Sequence, residues 1–373
     1  MDLSPSDEQR LLGDSVRGLL SAQGPTPDPR GLWSAMADLG WLGLPLPEAQ
    51  GGLGQGAVDV GLIAEGFGRH LLGQDYVPAI VLCGGLVSAL GDGTQRDAIL
   101  PALGEGRLRL ALAHAEPEAR WRLPHVATRA ARDGEGWRLD GRKIAVLGGG
   151  EADHLIVTAR LSGSTRDTAG IGLFLLRPDA PGLRIEGHAT PDGGTAARIA
   201  LDGVTLPRDA LLGGDGDPFP HLEAAWDRAV AAWCAELVGI IDALTEATID
   251  YAKTRVQFGK PLAVNQVLRH RLADMSIAAE EARSMALRAA LSVDGEDAQA
   301  RALAVAGAWA KIGRAALSVA EGAVQMHGGM GVTDELRIGA YLKRVVALHA
   351  IVGPPHHHLR RHAALSGRAP AAA

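Results

Sequence analysis

The groupings that could do chemistry in this chain are a histidine triplet, two cysteines, a few helical carboxylates and one glycine-rich loop. His356-His357-His358 suggests a metal. Consecutive residues of a helix, however, point in different directions and cannot all reach one ion, so no metal site is expected there. Cys83 and Cys234 are far apart, without ligand-like neighbours, and read as small buried hydrophobes rather than a disulfide or a metal pair. Asp227, beside Arg228, is the carboxylate of most interest; an Asp next to an Arg on a helix usually sits in a surface ion pair. Glu236 and Glu246, further along the same run, read as ordinary polar-face residues. The stretch Pro45 to Gly56 is glycine-rich but lacks the Lys-Ser/Thr ending of a phosphate-binding loop, so its expected role is structural.

The elements that must position these residues follow from length and pattern. At 373 residues the chain calls for two or three packed units with a sizeable core, and its 47% hydrophobic content is ordinary for a folded protein. A net charge of −6, with both signs interspersed, lacks the basic excess needed to bind a phosphate backbone, so nucleic acid is not an expected partner. No run approaches the roughly 20 uncharged apolar residues of a membrane span, and a membrane is not an expected partner either. The acidic start Met1-Asp2-Leu3-Ser4-Pro5-Ser6-Asp7-Glu8 does not resemble a secretory signal, and cytoplasmic residence is the expectation.

The pattern divides the chain at 1–106, 107–212 and 213–373. In the first part Leu11, Leu12, Val16, Leu19 and Leu20 recur at helical spacing, and Gly24 to Pro29 separates two helices. The middle part holds short β-prone runs at Val126–Ala130, Leu155–Ala159, Ile171–Leu176 and Ala196–Leu201. Asp140-Gly141 and Asp202-Gly203 tolerate the positive φ of tight turns, so an antiparallel meander with hairpins at these pairs is expected. After the loop 213–218, Leu222, Trp226, Val230, Trp233, Leu237, Ile241 and Leu244 form one apolar helical stripe. Gly259-Lys260-Pro261 breaks that helix; a second starts at Val264, Val267, Leu268, Leu272 and Met275, and Ala282–Leu291, Ala298–Met326 and Ile338–Ala350 complete a bundle. The fold class is α+β multidomain: helical, then antiparallel β, then a helical bundle.

This order, with the stretch Tyr251-Ala252-Lys253-Thr254-Arg255-Val256-Gln257-Phe258-Gly259-Lys260-Pro261, its continuation Asn265-Gln266, His270 and Leu272-Ala273-Asp274-Met275, and Gln325-Met326-His327-Gly328-Gly329-Met330-Gly331, resembles the acyl-CoA dehydrogenase family nearly end to end. Ala113-His114-Ala115-Glu116 and the tail His357-His358-Leu359-Arg360-Arg361 narrow the likeness to small subunits of heteromeric enzymes acting on dicarboxylic or steroid side-chain thioesters. The resemblance implies FAD as cofactor, an acyl-CoA substrate, desaturation at the α,β carbons and an electron-transferring flavoprotein as acceptor. In this chemistry the flavin takes the hydride, while the protein supplies a base and hydrogen bonds to the thioester oxygen.

Carried over residue by residue, the resemblance is uneven. Arg255, Gln257 and Phe258 match the family's grip on the adenosine diphosphate half of a neighbouring subunit's FAD, as do Gln325, Gly328 and Gly329. Around the flavin ring the family carries a Thr-Glu-Pro loop and a Trp-x-Thr strand, whereas this chain has Ala115-Glu116-Pro117 and places Ala145 and Leu147 at the Trp and Thr positions. Trp121 could fill the vacated volume, or be a buried aromatic of the β part. The family's usual catalytic glutamate falls on Val352, within Ile351-Val352-Gly353-Pro354; an alternative family position falls at Asp227, the one candidate base. A solvated or FAD-edge place is implied for the histidine triplet. The expectation is a subunit that completes the FAD site of a homologous catalytic chain. The alternatives are a self-sufficient homo-oligomer using Asp227 and a non-catalytic acyl-CoA-binding scaffold.

Overall fold

The computed structural model describes residues 4–24, 28–214, 216–333 and 335–367. Met1–Leu3, Pro25–Pro27 and Asp215, which carried expectations about the start and two loops, lie outside them. Helices α1 (Asp7–Ser21), α2 (Pro29–Asp38), α3 (Ala57–His70), α4 (Gly85–Leu90) and α5 (Gly93–Gly104) come first. Strands β1 (Leu110–Ala113), β2 (Arg129–Asp133), β3 (Gly136–Leu147), β4 (His154–Arg160), β5 (Ile171–Leu176), β6 (Leu183–Ala189), β7 (Thr195–Leu206) and β8 (Leu211–Leu212) follow. The rest comprises α6 (Phe219–Thr254), the two-residue strands β9 (Val256–Gln257) and β10 (Lys260–Pro261), α7 (Gln266–Val293), α8 (Ala298–His327), α9 (Ile338–Val352) and α10 (Pro355–Leu365). The expected helical, β, helical succession is present.

Two compact units emerge from the contacts: residues 1–26, 56–72 and 230–373 form one, residues 27–55 and 73–229 the other. In the first, α3 crosses the C-terminal part of α6 at a pair of glycines. A Cβ on Gly68 would lie 1.9 Å from the Glu236 carbonyl oxygen, and one on Gly239 would lie 1.9 Å from that of Glu65, so only glycine allows this approach. Helix α8 is the one described helix long and apolar enough to cross a bilayer, but 61% of that apolar window is buried inside the protein. Here it packs against α7, α9 and α10, which identifies it as the central core helix.

The second unit is built on a sheet of order β6-β7-β3-β2-β4-β5-β8, with β1 also paired to β4. Its antiparallel pairs are as expected, but β1 runs parallel to β4, and β2 meets β4 in a single parallel bridge. The two Asp-Gly pairs are not hairpin turns. They face each other as a bulge inside the long β3·β7 ladder, where the Gly203 amide donates to Asp140 Oδ1 at 2.7 Å. The positive φ of Gly203, 62°, serves the bulge instead of a turn. The run expected from Val126 enters the sheet only at Arg129, because its earlier amides are committed elsewhere: Val126 to Thr165 O, Ala127 and Thr128 to the Glu116 carboxylate. Leu139, Val157, Phe174, Ile199 and Val204 form the core of this sheet, with Trp137 edge-on to Phe174.

Candidate functional site

In the helical unit, α6 ends at Thr254 and the chain turns at once into the β9·β10 hairpin, with Gln257 opposite Lys260. Its two-residue turn is Phe258-Gly259, both at positive φ (52° and 77°), the geometry of a type I′ turn. Phenylalanine is a poor choice for that position, and its ring is fully exposed at 102%. Helix α8 ends at His327, followed by Gly328 at φ 60°, ψ −138°, a conformation open essentially to glycine alone. The Tyr251 and His327 rings stack at 4.3 Å, and Tyr251 donates to the His327 carbonyl at 3.4 Å, tying the end of α6 to the end of α8. Arg255, Gln257, Phe258, Gln325, Gly328 and Gly329 are thus presented to solvent from neighbouring segments of one unit. Nothing lies within 4 Å of a Cβ placed on Gly328 or Gly329, so backbone there is open to a ligand. A guanidinium, a carboxamide, an aromatic face and bare backbone suit an adenosine diphosphate.

The β unit presents the opposite case. Ala145, at φ 50°, sits in a bulge of β3 between Lys143 and Val146, and the neighbouring Ile144 amide donates to the Ala115 carbonyl at 2.8 Å. Behind this bulge lies a buried network. Lys143 Nζ donates to Glu116 Oε1 at 2.7 Å, Thr158 Oγ1 at 3.0 Å and the His114 carbonyl at 3.3 Å. His114 Nδ1 is 3.1 Å from the same Thr158 hydroxyl. Burial brings Lys143 down to about 8 despite Glu116, and takes His114 down to about 3. Burial also pulls the Glu116 carboxyl upward, but the Lys143 ammonium and the Ala127 and Thr128 amides outweigh it and hold it below its usual range. The framework is therefore complete while the face it supports is methyl at 115 and 145 and isobutyl at 147. It offers neither the hydroxyl nor the aromatic plane that a flavin ring would use. Trp121 does not compensate from the interior: it is 40% exposed on the loop after Pro117 instead of buried in the β unit. The residues present fit the nucleotide half of FAD and do not fit its ring.

The carboxylates complete the picture. Val352 is buried, its carbonyl accepting from His358 Nε2 at 3.0 Å, and the next carbonyl, of Gly353, accepts from Trp309 Nε1 at 2.7 Å. This turn is packed shut and carries no proton acceptor. Asp227 is not the expected surface residue; it is fully buried near the start of α6, where Ala225, Ala229 and Val230 are buried too and the adjacent Arg228 faces out. Glu236 also departs from expectation: 4% exposed, it forms a two-pronged bond with buried Arg344 at 2.6 and 3.1 Å. Glu246 does lie at the surface, paired with Arg69 at 2.5 Å. Of the histidine triplet, His358 is buried instead of solvated. The Lys143–Glu116 network was missed from sequence, although a lysine in the middle of a β-prone run is the signal that could have revealed it.

A helical domain, a β domain and a helical bundle in this order define the class: a flavin-dependent dehydrogenase fold. Residues 6–107, 111–202 and 224–364 match the acyl-CoA dehydrogenase N-terminal, middle and C-terminal domains in turn. The acyl-CoA dehydrogenase fadE12 of Mycobacterium bovis is 32% identical over 318 residues, covering 83% of this chain and 81% of that protein. A solved FAD-dependent dehydrogenase superimposes with a TM-score of 0.90 at 25% identity, over 99% of this chain and 100% of that one. The steroid ACAD Tcur3481-Tcur3483, in a variant form, gives 0.85 at 28% identity, over 97% and 98%. The chain belongs to the acyl-CoA dehydrogenase family.

Proposed function

We propose that this chain is the FAD-completing subunit of a heteromeric acyl-CoA dehydrogenase, whose homologous partner holds the flavin ring and the catalytic carboxylate. The observation that carries this reading is the opposite state of the two half-sites. The hairpin and glycine loop keep every group suited to adenosine diphosphate and present it outward, while Ala115, Ala145, Leu147 and Val352 lack the groups that a ring and an α-proton require. FAD, when bound, would accept the hydride from the acyl-CoA. This chain's part is to bind and orient the nucleotide: Arg255 against the pyrophosphate, Gln257 and Gln325 as hydrogen-bond donors, Phe258 over the adenine, Gly328 and Gly329 as open backbone. The family membership and the likeness to a steroid ACAD whose name joins two designations support the reading. Steroid side-chain or dicarboxylic thioesters are the proposed substrates, and an electron-transferring flavoprotein the acceptor.

The test is to purify the chain alone and together with a homologue that carries the missing groups, measuring flavin content, native mass and acyl-CoA-dependent dye reduction. Alone it should be colourless and inactive; assembled, it should be yellow and active. A stoichiometric yellow homomer that reduces its flavin on addition of an acyl-CoA would overturn the proposal. The second reading, a self-sufficient homomer with Asp227 as base, is favoured by the complete burial of Asp227. Asp227→Asn separates the two: it lowers kcat by orders of magnitude if Asp227 is the base, and changes it little in the heteromer.

A further inference from the structure

Strand β6 is the long free edge of the sheet. It pairs only with β7, in a regular register from Leu183 opposite Leu201 to Ala189 opposite Thr195. Arg184, Glu186, Gly187, His188 and Ala189 are exposed, while Leu183 and Ile185 are half-buried against the sheet core. At the opposite end of the sheet the edge strand β8 is two residues long. An open edge is a template for a further strand, and folded proteins blunt such edges by shortness, proline, lysine, a bulge or an inward-pointing charge. β6 has none of these. It is seven residues long, lacks Pro and Lys, keeps one register against β7, and carries Arg184 and Glu186 on the face away from the core.

The bonds at the two ends of β6 fix which of its groups are free. Asp202 N donates to Gly182 O at 3.0 Å, and Thr190 N donates to Gly194 O at 2.9 Å. By the antiparallel alternation, Arg184, Glu186 and His188 then turn amide and carbonyl toward β7, and Ile185, Gly187 and Ala189 turn both away from it. The Leu183 carbonyl also faces away, whereas its amide donates to Ala180 O at 3.1 Å. A second β6, antiparallel and centred on Ile185, satisfies these groups. The two Ile185 residues exchange amide and carbonyl bonds, and each Gly187 amide meets the other copy's Leu183 carbonyl. In that register each Arg184 stands beside the other copy's Glu186, in the non-hydrogen-bonded pairs where side chains approach most closely. Among the described residues neither Arg184 nor Glu186 has an ion-pair partner in its own chain, although Glu186 lies opposite Arg198. Centring the pair on Glu186 would set that carboxylate against itself and offer groups already bonded to β7; centring it on Gly187 would leave Arg184 facing Thr190.

We infer that two copies of this chain pair edge to edge through β6, continuing one sheet across a twofold axis. The pairing closes on itself, because it consumes the long edge of both copies. A seven-residue edge is small beside the roughly 1,200 Å² that a stable interface buries, so the contact is a weak one that forms at high concentration or reinforces a larger assembly. It does not rest on the acyl-CoA reading.

Sedimentation equilibrium of the full chain should compare wild type with Arg184→Glu, Glu186→Arg, an equimolar mixture of these two, and Gly187→Pro. Gly187 does not adopt a positive φ, and a Cβ there would meet only Gly150 Cα, at 3.8 Å. Proline at this edge position therefore removes an outward amide at little cost to the single copy. Unchanged circular dichroism and melting temperature should confirm that every variant folds. Wild type should gain mass with concentration. Each charge variant sets like charges opposite one another and should dissociate about tenfold more readily. The mixture should recover wild-type association, since each variant supplies the charge the other lacks, and Gly187→Pro should abolish it. Raising the concentration of wild type should also slow hydrogen exchange at the Ile185 and Gly187 amides and leave those of Glu186 and His188 unchanged. A wild-type mass independent of concentration, association shared by all variants, or charge variants that behave as wild type would overturn the inference. Association that Gly187→Pro blocks but the mixture fails to restore places another strand or register at the edge, and overturns it too. The flavin content of the heteromer is read separately, so the proposed function stands or falls on its own test.

Discussion

The hairpin end of the helical unit and the β3 bulge of the β unit both carry backbone strain in a residue other than glycine, Phe258 at φ 52° and Ala145 at φ 50°. At Phe258 the strain displays a large, fully exposed ring; at Ala145 it displays a methyl group. Strain persists where surrounding structure enforces it. In the bulge the Lys143–Glu116 network behind β3 does the enforcing, so that geometry is inherited by the fold whether or not a ligand uses it. Among the described residues no buried ion pair is seen behind the two-residue hairpin, whose strained residue is a surface one. Under the proposed function, the contrast is between a scaffold left without a ring to hold and a display kept for a partner.

The largest effect should come from cutting the scaffold. Lys143→Met leaves the Glu116 carboxylate buried and unpaired, which costs about 3–5 kcal/mol, and the urea midpoint of the β unit should fall accordingly. Glu116→Gln together with Lys143→Met should recover much of that loss. If Lys143→Met alone is neutral, the network does not hold the bulge and the contrast fails.

Next in size is Arg255→Ala, which removes a charge-assisted contact worth about 1.5–3 kcal/mol. In the assembled heteromer FAD should be lost on dialysis roughly ten- to a hundredfold more readily, with the chain's own melting temperature unchanged. Unchanged retention in an intact oligomer would mean that Arg255 binds no pyrophosphate.

What could be read from the sequence follows the range of the interactions. Ile171–Leu176 is the strand β5 as expected, and Ala298–Met326 falls one residue short of α8, because in both the local apolar pattern decides. The Asp-Gly pairs mislead because their partner is another bulge 63 positions away rather than a neighbouring turn. The burial of Asp227 and Glu236 escapes an amphipathic reading because α6 is buried on most of its faces, and Arg344 lies 108 positions from Glu236. The residues proposed to face the nucleotide were legible only as a long motif. Nothing in their periodicity distinguishes Arg255 or Gln325 from ordinary surface residues.

A smaller effect is expected from pH at the closed turn around Val352. Burial, reinforced by His357, Arg361 and His349, lowers His358 to about 3, while the Val352 carbonyl opposes the shift. Its folded value lies below its unfolded one, so the stability it contributes is complete above about pH 6.5 and is lost as pH falls toward 3. Between pH 7.5 and 5.5 the loss is on the order of 1 kcal/mol. His358→Gln should flatten that slope in chemical-denaturation curves. A slope unchanged by the substitution would place the acid sensitivity elsewhere, His349 being the next group, since burial lowers it as well.

The smallest effect, and the one that bears most directly on the contrast, is Phe258→Gly. A left-handed L-residue costs roughly 1–2 kcal/mol, and glycine at the same turn position costs almost nothing, so the isolated chain should gain up to about 1 kcal/mol. In the assembly the sign should reverse. The ring that is bare in this chain would there cover the adenine, and its removal should weaken FAD retention even though the subunit is more stable. A residue kept for folding cannot give that pair of results, because its loss would lower stability in both states. Measuring the melting temperature of the chain alone beside the flavin content of the heteromer therefore tests the display directly. A variant that is less stable alone, or that holds FAD as well as wild type, would remove Phe258 from the nucleotide site and leave its strained, exposed position without a functional reason.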